Sequence, residues 1–469
     1  MVDASAPAGD KLQLGLTAGV LALAVLLGGG QGGMGDTLTQ LLALALLAYL
    51  VVGQDSNRRR LSSLPLRIWL PLGLLLVPLL QMMPMPLSAW TSVAGRAPLV
   101  SQLASVGLVP EPHIALQVLA PERAVWSLFP ALAIYLSALT LTGRQQRLLF
   151  ALVLGLALLG LLLGLMQVAA GPESALYFYS NTNRGAAVGF FANRNHLAGL
   201  LLMALPLSLG AIAIVIGERG NGKPVRLFVV AAAIGFAIML ILGLALTRSR
   251  AGLLLGMLGL LLSVPMVFSV RGQRGLKRVF TLTVAAALAL TVQFALLGIL
   301  QRLQVDPLSD YRWQIAEIST DAARSNGPTG SGLGTFRQVF QALDTKQPGQ
   351  AIVNHAHNDY LELWLEAGWL FIAVAISFVG LILWWGVAAW RSSDARHSLL
   401  ARAASIALLL MLLHSALDYP LRTTANQAVF ALLLASLLSW TWARRASNGP
   451  RRGSARGSGR KIAIEEETH

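Results

Sequence analysis

Two histidines, His355 and His357, stand inside the polar stretch 354–362, Asn-His-Ala-His-Asn-Asp-Tyr-Leu-Glu, of a chain that is otherwise mostly apolar. Only 7 of the 469 residues are histidine, so the pairing stands out. A neutral imidazole in irregular backbone just ahead of a helix can take a proton from a hydroxyl, and a nearby carboxylate can orient it. Asp359 and Glu362 offer carboxylates, but they also fit the N-cap and N3 positions of a helix start, so capping and catalysis both remain open for them. His355 and His357 flank a single residue, as a metal pair could. No third ligand is evident, no Asp-X-Asp motif occurs, and no metal or other cofactor is expected.

The remaining polar residues with chemical potential collect at the ends of apolar runs: Arg184, Arg194, His196, Arg248, Arg250, Asp418 and Arg422. Guanidinium forks hold phosphate oxygens in pairs and stay charged when partly desolvated, so such a cluster suits a diphosphate. The competing reading is that arginines at helix ends snorkel to lipid headgroups. Arg194 and Arg250 stand in short, crowded settings, which sharpens the first reading for them.

These residues are carried by a hydrocarbon-seeking scaffold. Mean hydropathy is +0.64, and 12% of residues are charged, against about 25% in soluble domains. Apolar runs long enough to cross about 30 Å of hydrocarbon centre near Leu21, Leu46, Leu74, Ala133, Leu158, Leu205, Ile238, Leu260, Leu288, Val379, Leu408 and Leu434. The fold class expected is therefore an all-α polytopic membrane protein with about twelve transmembrane helices. The first run resembles a signal peptide, but residues 28–35 offer no clean cleavage site, so it is read as a retained helix. The chain has 0 Cys, which excludes disulfides and thiolate metal sites.

Most Lys and Arg fall on one side when both termini are placed in the cytoplasm, which sets the orientation. The net charge of +15 then reflects anchoring to an anionic leaflet. Nucleic acid is not an expected partner, because no basic patch is interleaved with aromatics. The longest outer segment is 302–366, between spans nine and ten. Within it 311–322 has helical spacing, and Gly330-Ser331-Gly332-Leu333-Gly334 reads as a turn. The apolar stretch 98–109 is too short to cross and is expected at the interface. Residues 1–443 form the membrane domain, and 444–469 read as a disordered basic cytoplasmic tail. Span centres almost free of ionisable groups count against ion-coupled transport. A lipid-linked oligosaccharide flippase is the alternative of another class. Its usual long inner connector after span six is here only the short 218–226 segment.

His357-Asn358, nine residues and then Gly368 resemble the pattern of the O-antigen ligase and polymerase superfamily of membrane glycosyltransferases. The family's further glycine three residues on is Phe371 here, a departure. Segments 190–197 and 247–252 are similar to its arginine-bearing helix ends, and Gly332-Leu333-Gly334-Thr335-Phe336 to its loop turn. The resemblance implies a GT-C-like helical fold in the bacterial inner membrane, with segment 302–366 as a periplasmic loop. It implies a polyprenyl-diphosphate-linked glycan as donor and a lipid A-core or another glycan hydroxyl as acceptor. By motif position Arg194 and Arg250 would hold the diphosphate, with Arg184, Arg248 and Arg422 behind them. His357 would be the base, with His355, Asn358, Asp359, Glu362, His196 and Asp418 in support. O-antigen ligase is the first expectation, and a polymerase of O-antigen or exopolysaccharide is the alternative.

Overall fold

A computed structural model describes residues 8–30, 32–52, 72–93, 95–180, 182–217, 223–269, 307–344, 353–393 and 398–448, with a few positions between 278 and 289. Among these residues the protein is helical, and the one extended pairing is an isolated bridge between Pro84 and His113. That outcome follows from the solvent: in hydrocarbon every backbone N–H and C=O must be satisfied within the segment, which a helix does.

The helices run in order as α1 Ala8–Leu27, α2 Met34–Val52, α3 Gly73–Gln81, α4 Leu87–Thr91, α5 Ala97–Ser105, α6 Leu119–Thr140, α7 Gly143–Ala170 and α8 Arg194–Gly217. There follow α9 Lys223–Leu246, α10 Arg250–Phe268, α11 Pro307–Ser325, α12 Phe336–Leu343, α13 Asp359–Trp390, α14 Leu399–Ser415 and α15 Thr424–Asn448. A 3-10 turn, Pro420–Arg422, joins the last two. Six helices are long and apolar enough to cross a membrane, and four shorter apolar ones accompany them. Together they account for all of the expected runs except two. The run near Leu74 is described only from residue 72, and the one near Leu288 lies almost wholly outside the described residues.

Helix α8 is the hub. Of its apolar window, 89% is buried within the protein, against 22% for the span Ile372–Trp390, which faces outward along most of its length. Close approach to α8 depends on small residues. A Cβ on Gly252 would sit 2.7 Å from the Cβ of Ala198, so the start of α10 lies directly against the first turn of α8. Starts are fixed by side-chain caps. Ser249 Oγ accepts the amide of Gly252 at 3.0 Å ahead of α10, and Asn358 Oδ1 accepts those of Tyr360 and Leu361 at 3.0 and 3.1 Å ahead of α13.

The connections gather at one end of the bundle through backbone hydrogen bonds between loops. The amide of Ala192 donates to the Gly29 carbonyl, Ala425 to Gly28, Ala187 to Leu246, and Asp359 to Asp418. The Gly-rich turn after α1, in which the sequence shows nothing chemical, is thereby part of the same end as the histidines.

Segment 302–366 is described over 307–344 and 353–366 and contains α11 and α12, in line with the helical spacing at 311–322. Its small core joins Ile315, Ala322, Phe336, Phe340, Ala356 and Leu365. Helix α5 buries none of its residues, and Val106, Leu108 and Val109 beyond it are exposed, as an interfacial stretch requires. Helix α15 runs to Asn448, past the expected boundary at 443, and residues 449–469 of the expected tail lie outside the described residues.

Helix α13 is two helices joined across a kink. Gly368 interrupts it with φ +69°, and a Cβ there would come 2.0 Å from the carbonyl oxygen of Pro328. Only glycine accommodates both the left-handed backbone and that contact. The break separates the apolar span from the preceding two turns, which carry Asp359, Glu362 and Glu366.

Candidate active site

The residues before α13 are held in an unusual backbone. His357 has φ +52°, a left-handed conformation uncommon outside glycine. The Asn358 cap on one side and the partner of the His357 ring on the other hold it there. That partner is Asp418, whose Oδ1 lies 3.2 Å from His357 Nδ1. Asp418 is buried, while the His357 side chain keeps 31% of its exposure. Oδ1 of Asp418 also accepts the amide of Tyr419 at 2.9 Å, and Oδ2 accepts from Asn195 Nδ2. Burial alone would raise this carboxyl. The hydrogen bond from His357 and the electrostatic influence of the neighbouring imidazoles His357, His414 and His196 instead hold it well below the usual range. An ionised Asp418 fixes the proton of His357 on Nδ1 and leaves Nε2 with a lone pair, the arrangement a general base needs.

A second imidazole–carboxylate pair lies beside the first. His355 Nδ1 is 2.8 Å from Glu362 Oε1, and Glu362 Oε2 accepts the amide of Ala356 at 2.8 Å. Below both pairs, Arg422 is enclosed by three carboxylates. Its Nε donates to Asp359 Oδ1 at 3.3 Å and one Nη to Glu366 Oε2 at 2.9 Å, with the other Nη 3.4 Å from Glu362 Oε1. The second oxygen of Glu366 accepts the amide of Phe336 at 3.1 Å, which ties the 331–336 turn to this cluster.

The three acids divide by environment. For Glu362 burial acts upward, but Arg422, His355 and its hydrogen bonds bring it down to about 2. Asp359 is pushed up to about 6 by burial, with Arg422 only partly offsetting it, and Glu366 is likewise raised by burial. Arg422 stays charged because the carboxylates outweigh the cost of burying it. These shifts predict a stability maximum in mildly acidic solution. The favourable effect of protonating Asp359 is complete below its ordinary value of 3.8 and lost as pH rises through about 6. That of ionised Glu362 is complete above its ordinary 4.5 and lost as pH falls through about 2. The thermal midpoint of the solubilised protein is therefore expected to rise from pH 7.5 to pH 5 and to fall below pH 4. Asp359→Asn should flatten the upper limb, and an unchanged upper limb in that variant would refute the assignment.

Placement of the expected residues is mixed. His355, His357, Asn358, Asp359, Glu362, Asp418 and Arg422 come together in one cluster. Asn358, not Asp359, caps α13, which corrects the capping reading of Asp359 and Glu362: both turn to Arg422, and Glu362 reaches back to the Ala356 amide. Arg194 opens α8 beside Asn195 and so adjoins the Asp418 pair by chain connection. Its own amide donates to Asn183 Oδ1 at 3.0 Å. Arg248 and Arg250 are exposed at the start of α10, with Arg248 at φ +53°. Arg184 is engaged in its own loop, donating to the Pro172 carbonyl at 3.0 Å beside Glu173. His196 is buried against Tyr419, with ring centroids 5.0 Å apart. Among the described residues no group of three or more His, Asp or Glu is arranged to hold a metal ion.

Glu366, Tyr419, Asn193 and Asn195 belong to the cluster and were not singled out by the sequence. Glu366 had a signal: with Asp359 and Glu362 it repeats at i, i+3 and i+7, one face of a helix. The asparagines and Tyr419 had none, since the hydrogen bonds that tie the asparagines to the Asp418–Tyr419 turn span more than 200 positions.

A cluster of imidazoles, carboxylates and arginine-bearing helix starts at one end of a bundle of apolar helices is consistent with a polytopic membrane protein whose candidate site lies at that end. Residues 234–376 match the family model described as O-antigen ligase, and this supports placing the chain in the O-antigen ligase and polymerase superfamily. No curated protein sequence matches the chain. The matched region contains Arg248, Arg250, His357 and all three acids of α13, and it ends before Asp418, Tyr419 and Arg422. The match indicates activity of the O-antigen ligase or polymerase type, that of a glycosyltransferase-like enzyme using a lipid-linked glycan and an acceptor. With the apolar helices it implies the bacterial inner membrane.

Proposed function

We propose that the protein is an O-antigen ligase-type inverting glycosyltransferase. It moves a glycan from a polyprenyl diphosphate, undecaprenyl diphosphate above all, to a hydroxyl of lipid A-core or a similar acceptor at the periplasmic face. The observation that carries this reading is the chain of contacts from His357 through Asp418 to Asn195, the neighbour of Arg194. It supports the reading by linking a carboxylate-held imidazole to the helix start that bears an arginine.

In the proposed reaction His357 Nε2 takes the proton of the acceptor hydroxyl while the oxygen attacks the anomeric carbon. The bond from that carbon to the diphosphate oxygen breaks, its electron pair leaves with the lipid diphosphate, and configuration inverts. Arg194 and Arg250, with Arg248 beside them, stabilise the negative charge as it develops. Arg422 and Arg184, already engaged with acidic side chains, are assigned positioning roles in this reading. The architecture proposed is GT-C-like, with twelve spans, both termini cytoplasmic, 302–366 as the periplasmic loop and 1–443 as the membrane domain. The reaction needs no metal.

Arg250→Ala is expected to lower transfer by about 10²-fold or more, as loss of one preorganised charge does, while membrane yield stays normal. Near-normal turnover in this variant would remove Arg250 from the diphosphate site. Transfer by the purified protein should persist in excess chelator, and restoration by Mg²⁺ alone would overturn the metal-free mechanism. Gene deletion followed by lipopolysaccharide electrophoresis tests the function itself. A ligase loss leaves core without O-antigen, a polymerase loss leaves about one repeat, and an unchanged ladder directs attention to an exopolysaccharide.

A further inference from the structure

Tyr419 touches the histidines, Asp418 and the segment that leads into α8. Its ring stacks on His355 at a centroid distance of 4.2 Å and an interplanar angle of 28°, and meets His357 edge-on at 5.2 Å. Its amide donates to the same Asp418 oxygen that faces His357. Its hydroxyl accepts from Asn193 Nδ2 at 3.1 Å, and Asn193 immediately precedes Arg194. Packing against imidazoles alone would be served by phenylalanine. The hydroxyl adds a tie between the last interhelical turn and the start of α8, segments more than 200 residues apart in sequence. Such a polar handle on an aromatic ring finds a partner when enclosed, and here the partner belongs to the arginine-bearing segment.

We propose that Tyr419 is a positioning residue with two separable duties: its ring sets the planes of His355 and His357, and its hydroxyl, through Asn193, sets the placement of Arg194. This rests on the transferase reading above. The ring therefore governs turnover, and the hydroxyl governs affinity for the donor.

Three variants of the full-length protein separate the duties. Tyr419→Phe keeps the ring and removes the hydroxyl, Asn193→Ala removes its partner, and Tyr419→Leu removes the ring. With a polyprenyl-diphosphate-linked glycan as donor, Tyr419→Phe is expected to raise KM about three- to tenfold, the effect of one hydrogen bond, with kcat nearly unchanged. Asn193→Ala should match it, and the double variant should add nothing, as for two ends of one interaction. Tyr419→Leu is expected to lower kcat about tenfold or more. Hydrogen–deuterium exchange reads the same coupling without turnover: amides 193–197 should exchange faster in Tyr419→Phe and Asn193→Ala, and amides 355–359 only in Tyr419→Leu. Unchanged KM and exchange in Tyr419→Phe, or additive effects of Tyr419→Phe and Asn193→Ala, would overturn the proposal. Should Tyr419→Leu fail to fold, the hydroxyl arm still decides it. Exchange that responds as described in a wild-type protein unable to transfer glycan would sustain the coupling and overturn the transferase reading instead.

Discussion

His357→Ala is expected to lower glycan transfer by about 10²–10⁴-fold, the range associated with removing a general base, and to leave the protein in the membrane at normal yield. The ring is partly exposed and makes one polar contact with buried Asp418, so its removal costs little packing. Asp418→Asn should be nearly as damaging despite its similar shape. An amide in place of the carboxylate can turn its NH₂ toward Nδ1, which drives the imidazole proton to Nε2 and removes the lone pair needed for the acceptor. Initial rates on purified protein, with product resolved by electrophoresis, measure both. Wild-type transfer by His357→Ala would end the base assignment. Wild-type transfer by Asp418→Asn alone would leave His357 as base but without an obligatory orienting partner.

Arg422→Met is expected to act through stability. The guanidinium neutralises Asp359, Glu362 and Glu366, all buried. Removing one member of a buried ion cluster leaves uncompensated charge, at a cost of about 3–5 kcal/mol. Most of the protein should then be lost from the monodisperse peak on size-exclusion chromatography, and what remains should melt earlier. Arg422→Lys should recover part of the loss, because an ammonium supplies the charge but not a fork that reaches three carboxylates. If Arg422→Met instead keeps its thermal midpoint and loses transfer, the guanidinium serves the substrate, as its position at a helix end suggests from sequence alone. The contrast with Arg250→Ala is diagnostic: one arginine sits among buried acids and the other at an exposed helix start.

The scaffold and the edge of the site were legible in the sequence for a simple reason. Apolar runs of spanning length and the sidedness of Lys and Arg are written locally, and so is a polar stretch such as 354–362 closing the longest non-apolar segment. The spacing from His357 to Gly368 was equally local, and Gly368 proved to be where the site-bearing turns of α13 break from the membrane span. Roles that depend on partners were not legible. A capping reading of Asp359 and Glu362 was reasonable from spacing, yet Asn358 takes the cap and the acids meet Arg422, about 60 residues on. Nor does an arginine in sequence reveal whether acids will already surround it, as they do Arg422, or leave it at an exposed helix start, as with Arg250.

The sequence by itself determined that this is a helical membrane protein and that its ionisable groups collect at helix ends, because the cost of burying charge in hydrocarbon is set residue by residue. Only the tertiary structure decided which of those groups meet. Packing of α13 against α14 and the turn after α14 sets Asp418 against His357, encloses Arg422 among three acids and stacks Tyr419 on His355. Contacts between residues 56 to more than 200 positions apart leave no local pattern to read.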